Sequence, residues 1–96
     1  MDHPTALAWA DRARTTRAAL LGRLAAGEVP LSVACELARS DDQVAMIKVL
    51  SVVESLPGWG KVAARRSLAE LGIAGDTPLA DVDPAVLISA FGASPP

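Results

Sequence analysis

Aromatic and sulphur-containing side chains are scarce in this chain. Only 3% of its 96 residues are aromatic, none is tyrosine, and there is a single cysteine and a single histidine. One cysteine excludes an internal disulfide bond, and one Cys with one His cannot build a zinc site with several thiolate ligands. The core must be built from Ala, Leu, Val and Ile, a mixture that favours packed helices. We therefore expect an all-α protein with no metal and no cofactor.

Long uninterrupted apolar runs are also missing. Hydrophobic residues make up 51% of the chain and charged residues 21%, which is too apolar for a disordered protein and too often interrupted by charge for a membrane-spanning one. One domain, residues 1–96, is expected because a chain of this length cannot fill two cores. No basic segment followed by an apolar stretch opens the chain, so we expect no export signal, no membrane partner and a cytoplasmic location.

Charge is divided unevenly along the chain. The net charge is −2 and the pI is about 5.2, which argues weakly against a nucleic-acid-binding protein. All nine Lys and Arg residues lie in residues 1–68, whereas residues 69–96 contain four acids and no base. A polyanion would therefore meet the first part of the chain, and the acidic C-terminal part is a candidate surface for a protein partner.

Helical patterns cover most of the sequence and predict five or six helices. Residues 5–26 lack proline and are rich in Ala, Leu and Arg, which predicts a long basic first helix that Gly27 ends. An apolar stripe on this helix is formed by Leu20, Leu21 and Leu24. A compact body is expected over residues 31–92, followed by a frayed tail over residues 93–96.

The body begins with two further predicted helices. The first is short, and its apolar side is expected to carry Val33, Ala34, Leu37 and Ala38. A capping box, in which Ser40 and Gln43 satisfy each other's amides, predicts the start of the next helix. Because residues 44–56 are apolar nearly all round, we expect one continuous, buried central helix there.

Two more helices complete the predicted body. The pattern over residues 61–71 places Ala64, Leu68 and Leu71 in one row, and Gly72 is a natural stop in the left-handed conformation. Asp83 followed by proline is a typical helix start, and Gly92 closes this last helix.

Residues 56–66, LPGWGKVAARR, carry the strongest functional signal. Gly58 and Gly60 permit positive φ and close approach of a ligand to the backbone, and the free amides of the next helix start at the same place. Lys61 and Arg65 are four residues apart and project together, with Arg66 adjacent. The pattern is typical of a phosphate site. The alternative is a plain connection between two helices, with glycine used for geometry and with solvated cations.

The motif LPGWGK, preceded by ES and followed by an Ala-rich basic helix, looks like the nucleic-acid-binding turn of helix-hairpin-helix and helix-two-turn-helix modules. Over residues 12–92 the chain resembles the actinobacterial integration host factor family. The motifs RLAAGEVPL, SDD, ESLPGWGKV and AELGIA stand in that family's order and spacing. The resemblance implies a long first helix with a helix-two-turn-helix body, sequence-tolerant binding of duplex DNA with bending or compaction, and no catalysis.

Candidate DNA contacts follow from family position. In the turn they are Pro57, Gly58, Trp59, Gly60 and Lys61. Elsewhere they are Arg14, Arg17, Arg23 and Lys48. We add Arg65 and Arg66 from helix geometry rather than from the resemblance.

The chain also departs from the family pattern. Basic residues are common in the family where this chain has Thr15, Ala25, Ala26, Met46 and Ala63. After AELGIA the family commonly has an arginine-rich segment, and here the stretch reads GDTPLADVD. Since every missing phosphate contact weakens binding, the resemblance implies either DNA binding weaker than the family norm or a repurposed paralogue.

Both tryptophans and the cysteine have competing interpretations. Trp59 could insert between base steps and kink the duplex, although large aromatics in small cores favour packing between the helices of the turn. Trp9 is interpreted as a packing or dimer contact rather than a base-stacking residue. Cys35, among apolar neighbours, is expected to behave as a small apolar group.

The hypothesis from sequence is therefore non-enzymatic, largely sequence-independent binding of double-stranded DNA in the nucleoid or as a recombination accessory. A protein-interaction paralogue with weak or lost DNA binding is the main alternative, and RNA binding is a third. An enzyme is least favoured because no triad, paired catalytic carboxylates or metal cluster emerges from the sequence.

Overall fold

The computed structural model describes the backbone of residues 3–92 and the side chains of residues 8–92. Its helices are α1 (His3–Ala25), α2 (Leu31–Ser40), α3 (Asp42–Ala45), α4 (Val49–Glu54), α5 (Gly60–Glu70) and α6 (Pro84–Phe91), and a 3-10 turn (Leu79–Asp81) lies between α5 and α6. Within residues 3–92 there is no β-strand, so the predicted all-α fold is confirmed. The predicted frayed tail lies outside the described residues.

One apolar cluster holds the helices together. Its most deeply buried side chains are Leu24, Leu68, Leu87, Val49, Val52 and Val53. No polar or charged residue is buried among those whose side chains are described, so the core is stabilised by apolar burial and packing alone. The domain therefore depends on its Leu and Val residues, as the scarcity of aromatics predicts.

Helix α1 is docked at its C-terminal end and exposed toward its N-terminus. Leu20 and Leu24 are buried and Leu21 packs against the core, which confirms the predicted stripe. One turn earlier, the Thr16 hydroxyl donates a hydrogen bond of 2.7 Å to Gln43 Oε1 on α3. Ala8, Trp9, Asp11 and Arg12 are exposed, so residues 8–12 of α1 lie mostly at the surface.

The predicted face of α2 is wrong by a fraction of a turn. Its buried residues are Leu31, Ala34, Cys35 and Ala38. Val33 and Leu37 lie at the exposed edge instead. Since Leu31 starts the helix and enters the core, the buried row runs from that residue at helical spacing. Burial raises the pKa of the Cys35 thiol through desolvation.

The predicted capping box is also wrong, because Ser40 is the last residue of α2. Asp41 caps α3 by accepting a 2.9 Å hydrogen bond from the Gln43 amide. The Gln43 side chain does not return to the cap and accepts the Thr16 hydroxyl instead. The capping residues therefore separate α2 from α3 and tie α3 to α1.

The central helix predicted over residues 44–56 is broken in two. After α3, Lys48 adopts an extended conformation and forms an isolated antiparallel bridge with Pro78. The Val49 amide donates to the Thr77 carbonyl at 2.8 Å, and the Leu79 amide donates to the Ile47 carbonyl at 2.8 Å. These bonds replace helical ones, and the β-branched residues at the break suit an extended backbone.

The last two helices follow the sequence prediction closely. Helix α5 buries Ala64 and Leu68, and Gly72 follows it with φ of 73°; Leu71, expected in the same row, is exposed. Asp83 caps α6 by accepting a 2.9 Å hydrogen bond from the Ala85 amide, with proline in the first turn. Helix starts marked by a cap and a proline were therefore predicted correctly.

Candidate nucleic-acid interface

The turn between α4 and α5 is built around two glycines with positive φ. Gly58 has φ of 82° and Gly60 has φ of 70°, a backbone conformation that other residues adopt at a cost of about 1–2 kcal/mol. Pro57 and both glycines are exposed, whereas Leu56 before them is buried. The turn therefore has a buried anchor and a solvent-facing backbone.

Helix α5 starts at Gly60, and both Gly60 and Lys61 are exposed. Its N-cap position is Trp59, which makes no side-chain capping bond. Among the turn and cap hydrogen bonds of the described residues, the amides of Gly58, Gly60 and Lys61 are not donors. Free amides at the positive end of an eleven-residue helix attract anions.

Cations lie on the helix that begins at this turn. Lys61, Arg65 and Arg66 are all exposed on α5, and spacing of four residues places the first two on one face. Within the part of the chain whose side chains are described, none of the three forms an ion pair. The structure thus brings together the six turn and α5 candidates Pro57, Gly58, Gly60, Lys61, Arg65 and Arg66.

Trp59 differs from its neighbours because its side chain belongs to the core. It is 7% exposed, and its ring lies 4.7 Å from that of Phe91 on α6, tilted by 57°. This geometry supports the packing interpretation of Trp59, since a buried indole cannot reach a base step without leaving α6. The tryptophan anchors the turn while its backbone neighbours remain exposed.

A second group of candidates meets in a groove between α1 and the break after α3. The groove is lined by Trp9, Arg14 and Arg17 from α1, and by Met46 and Lys48 from the break. We call it the α1 groove. From the sequence, Met46 was noted only as a position where the family commonly has a basic residue, and Trp9 was interpreted as a packing or dimer contact. Trp9, Ala13 and Arg17 are spaced four residues apart along α1, so they follow one another on the same side of the helix. The break in the central helix brings residues 46–48 beside them.

Arg23 lies apart from both groups. It lines a separate depression between α1, α2 and α3, together with Leu37 and Asp41. The carboxylate there weakens the attraction of that surface for an anion. The family-position candidates therefore divide into the turn, the α1 groove and an isolated arginine.

The α1 groove has an acidic neighbour. Asp11 forms an exposed ion pair with Arg14 across one helical turn. Such surface pairs contribute little to stability, yet the carboxylate offsets one of the three positive charges that line the groove. In the C-terminal part of the chain, Asp81 and Asp83 line an apolar depression that includes Val86, where the sequence predicts a surface for a protein partner.

Two further features of the described residues bear on the other hypotheses. In the described part of the chain no group of three or more His, Cys, Asp and Glu side chains is placed to hold a metal ion. Nor does any helix of residues 3–92 have the length and apolar character needed to cross a bilayer.

Three kinds of similarity to known proteins agree with this geometry. A family model described as an S13-like H2TH domain matches residues 24–77, which span α2, α3, α4 and α5. The chain is 41% identical over 69 residues to the integration host factor of Mycobacterium tuberculosis, covering 72% of this chain and 66% of that protein. It is 37% identical over 68 residues to the integration host factor of Streptomyces coelicolor, covering 71% and 64%.

These matches span slightly less than two thirds of the two relatives' length. A solved structure covers more of the fold. It is described as "Structure of sIHF bound to an 8bp palindromic DNA", and it matches with a TM-score of 0.81 and 31% sequence identity, over 86% of this chain and 97% of that one. Since the H2TH model and this whole-fold match agree, the chain belongs to the S13-like H2TH family and, within it, to the integration host factors.

Proposed function

We propose that this protein is a non-enzymatic, nucleoid-associated protein that binds double-stranded DNA through its phosphates, largely without regard to sequence. The observation that carries the proposal is the exposed turn at the start of α5, where uncapped amides and exposed cations converge. Phosphate contacts of this kind position a protein without reading bases.

The similarities support the same function. A relative with 31% identity and the same fold has been solved bound to an 8bp palindromic DNA, and the curated relatives are integration host factors of actinobacteria. A cytoplasmic, nucleoid location follows from this function. Phosphate binding at the turn requires no reactive side chain, which agrees with a protein that is not an enzyme.

The two sites would contribute differently. At the turn, the amides near Gly58 and Gly60 would donate to one phosphate and Lys61 would neutralise it. Arg14, Arg17 and Lys48 would meet a second stretch of backbone from the α1 groove. A protein-interaction paralogue is less well supported, because the turn keeps its exposed glycines, free amides and cations, all of which such a paralogue would not need.

The first test is fluorescence anisotropy of a labelled duplex of about 25 base pairs over a range of salt concentrations. Lys61→Ala and Lys61→Ala/Arg65→Ala are compared with Arg39→Ala, a control that removes one charge from an exposed site on α2 outside the candidate interface. Each lost phosphate contact should reduce the slope of log K against log salt by about 0.9. We therefore expect a reduction of about 1.8 for the turn pair and little change for the control.

A loss for Arg39→Ala as large as that for Lys61→Ala would show that net charge, rather than the turn, determines binding. An absence of wild-type binding at low salt would reject the proposal. Competition by duplex RNA as strong as that by duplex DNA would favour the RNA alternative, because the two differ in groove shape and in the 2′-hydroxyl.

A further inference from the structure

The α1 groove contains two large apolar side chains that solvent reaches. Trp9 is 49% exposed and Met46 is 66% exposed, and both line the same groove. Exposed apolar groups gathered in one groove cost free energy in an isolated protein and mark an interaction surface. Their function is not explained by phosphate binding, which needs only charge and amides.

Cations surround this apolar pair. Arg14, Arg17 and Lys48 line the same groove, and none of its lining residues is acidic. Any occupant must therefore offer apolar surface bordered by negative charge. A second copy of this chain with its own α1 groove against this one is disfavoured, because Arg17 and Lys48 of the two copies would face each other.

Duplex DNA fits both requirements. Its sugars and base faces are apolar, and they are bordered on both sides by phosphates. Proteins that enter the minor groove use apolar side chains as wedges between base steps, which unstacks the bases and kinks the duplex, while flanking cations hold the backbone.

We propose that the α1 groove is a minor-groove contact in which Trp9 and Met46 form the apolar wedge and Arg17 and Lys48 hold the flanking phosphates. This inference rests on the proposed function and deepens it, because it assigns bending to the α1 groove and leaves phosphate anchoring at the turn. Trp59, the tryptophan that the sequence offered as a wedge, stays in the core and anchors the turn.

The experiment compares Trp9→Ala and Met46→Ala with Val33→Ala, a matched control that shortens an exposed apolar side chain on α2 outside the groove. Affinity is measured by anisotropy, and bending by energy transfer between dyes at the two ends of the same duplex. Loss of an aromatic contact to a base weakens binding on the order of fivefold. We expect that loss for Trp9→Ala together with reduced bending, a smaller loss for Met46→Ala, and wild-type behaviour for Val33→Ala.

The salt dependence separates this role from phosphate binding. Trp9→Ala and Met46→Ala remove no charge, so the slope of log K against log salt should stay at the wild-type value for both. Lys61→Ala/Arg65→Ala, in contrast, should reduce that slope. In parallel, the two indole N–H signals in a nitrogen-proton correlation spectrum are assigned with Trp9→Phe. The Trp9 signal should shift when duplex is added, because the ring would leave water for the base edges.

Each contrary outcome has a distinct meaning. The first outcome is that the wild type binds duplex DNA and Lys61→Ala/Arg65→Ala weakens this binding, but Trp9→Ala and Met46→Ala bind and bend DNA like the wild type. In that case this inference fails while the proposed function stands. If sedimentation shows a wild-type dimer that Trp9→Ala dissociates, the groove is a contact between copies and the inference is overturned. If the wild type binds no duplex, both fail together.

Discussion

The two ends of α5 allow the role of the turn to be tested with a matched pair of substitutions. Gly60 begins the helix with φ of 70°, and Gly72 follows it with φ of 73°. A Cβ placed at either glycine meets no atom within 4 Å. Alanine at the two positions therefore carries the same backbone strain and no steric clash, and the positions differ only in their distance from the candidate phosphate site.

The magnitude follows from this shared strain. An L-residue in the left-handed region costs about 1–2 kcal/mol, and alanine at positive φ destabilises rather than stabilises. We expect Gly60→Ala and Gly72→Ala to lower the free energy of unfolding by about 1 kcal/mol each, or about 4–8 °C in Tm for a domain of this size. Urea denaturation and calorimetry measure both quantities.

DNA binding should separate the two variants. Relief of the strain at Gly60 reorients the first amides of α5, and loss of one charge-assisted hydrogen bond to phosphate weakens binding by about tenfold or more. Gly72→Ala should bind within about twofold of the wild type, because the helix start is untouched. Equal weakening by both substitutions would show that binding follows stability, and would refute the assignment of the phosphate to the turn.

Three other changes test the remaining contacts. Trp59→Ala should lower the free energy of unfolding by about 3–5 kcal/mol in urea denaturation, because it leaves a cavity against α6, and a loss below about 1 kcal/mol would contradict its place in the core. Burial raises the folded-state pKa of Cys35 above the unfolded value of 9.0. The free energy of unfolding of the wild type should therefore fall as pH rises through and above that value. Cys35→Ala should remove this part of the decline, as measured by urea titrations between pH 8 and 10. Asp11→Asn should release Arg14 and strengthen duplex binding at low salt by about two- to fivefold in anisotropy, whereas an unchanged affinity would place Arg14 outside the interface.

Local sequence signals predicted the elements whose ends they mark. The long proline-free stretch gave α1, the two glycines gave the turn before α5, and the cap at Asp83 gave the start of α6. Each of these signals acts within about one helical turn, through backbone preferences and caps. The apolar stripe that docks α1 was also predicted, because burial follows helical periodicity.

The break in the central helix could not be predicted in the same way. Residues 44–56 read as a continuous apolar helix, and nothing among them is a helix breaker. The break is imposed by residues 75–79, which are some thirty positions away and which supply backbone partners to Ile47, Val49 and Leu50. A residue before proline favours an extended backbone, and Thr77 before Pro78 was the one local sign of this pairing.

This non-local pairing also determined what the sequence revealed of the interface. The turn candidates are adjacent along the chain, so their convergence at the start of α5 was predicted. The α1 groove joins residues on α1 to residues 46–48, and it exists because the chain bends there instead of continuing as a helix. That Trp9 and Met46 share one groove was therefore found only from the structure, although their cationic neighbours had been named from family position.

The same pairing distinguishes the two helix starts that lie beside basic residues. At α4, the amides of Val49 and Leu50 donate to the carbonyls of Thr77 and Gly75 at 2.8 and 3.0 Å, so the first two amides of that helix are already paired within the protein. At α5 the corresponding amides have no such partners among the described residues, and the helix is long enough for its dipole to matter. Lys48 therefore lies beside two amides that are already bonded, whereas the start of α5 has exposed cations beside amides without such partners in the described part of the chain. This difference is how a chain with net charge −2 could hold the proposed phosphate site: we expect that site to depend on the backbone of α5 more than on the number of its cations.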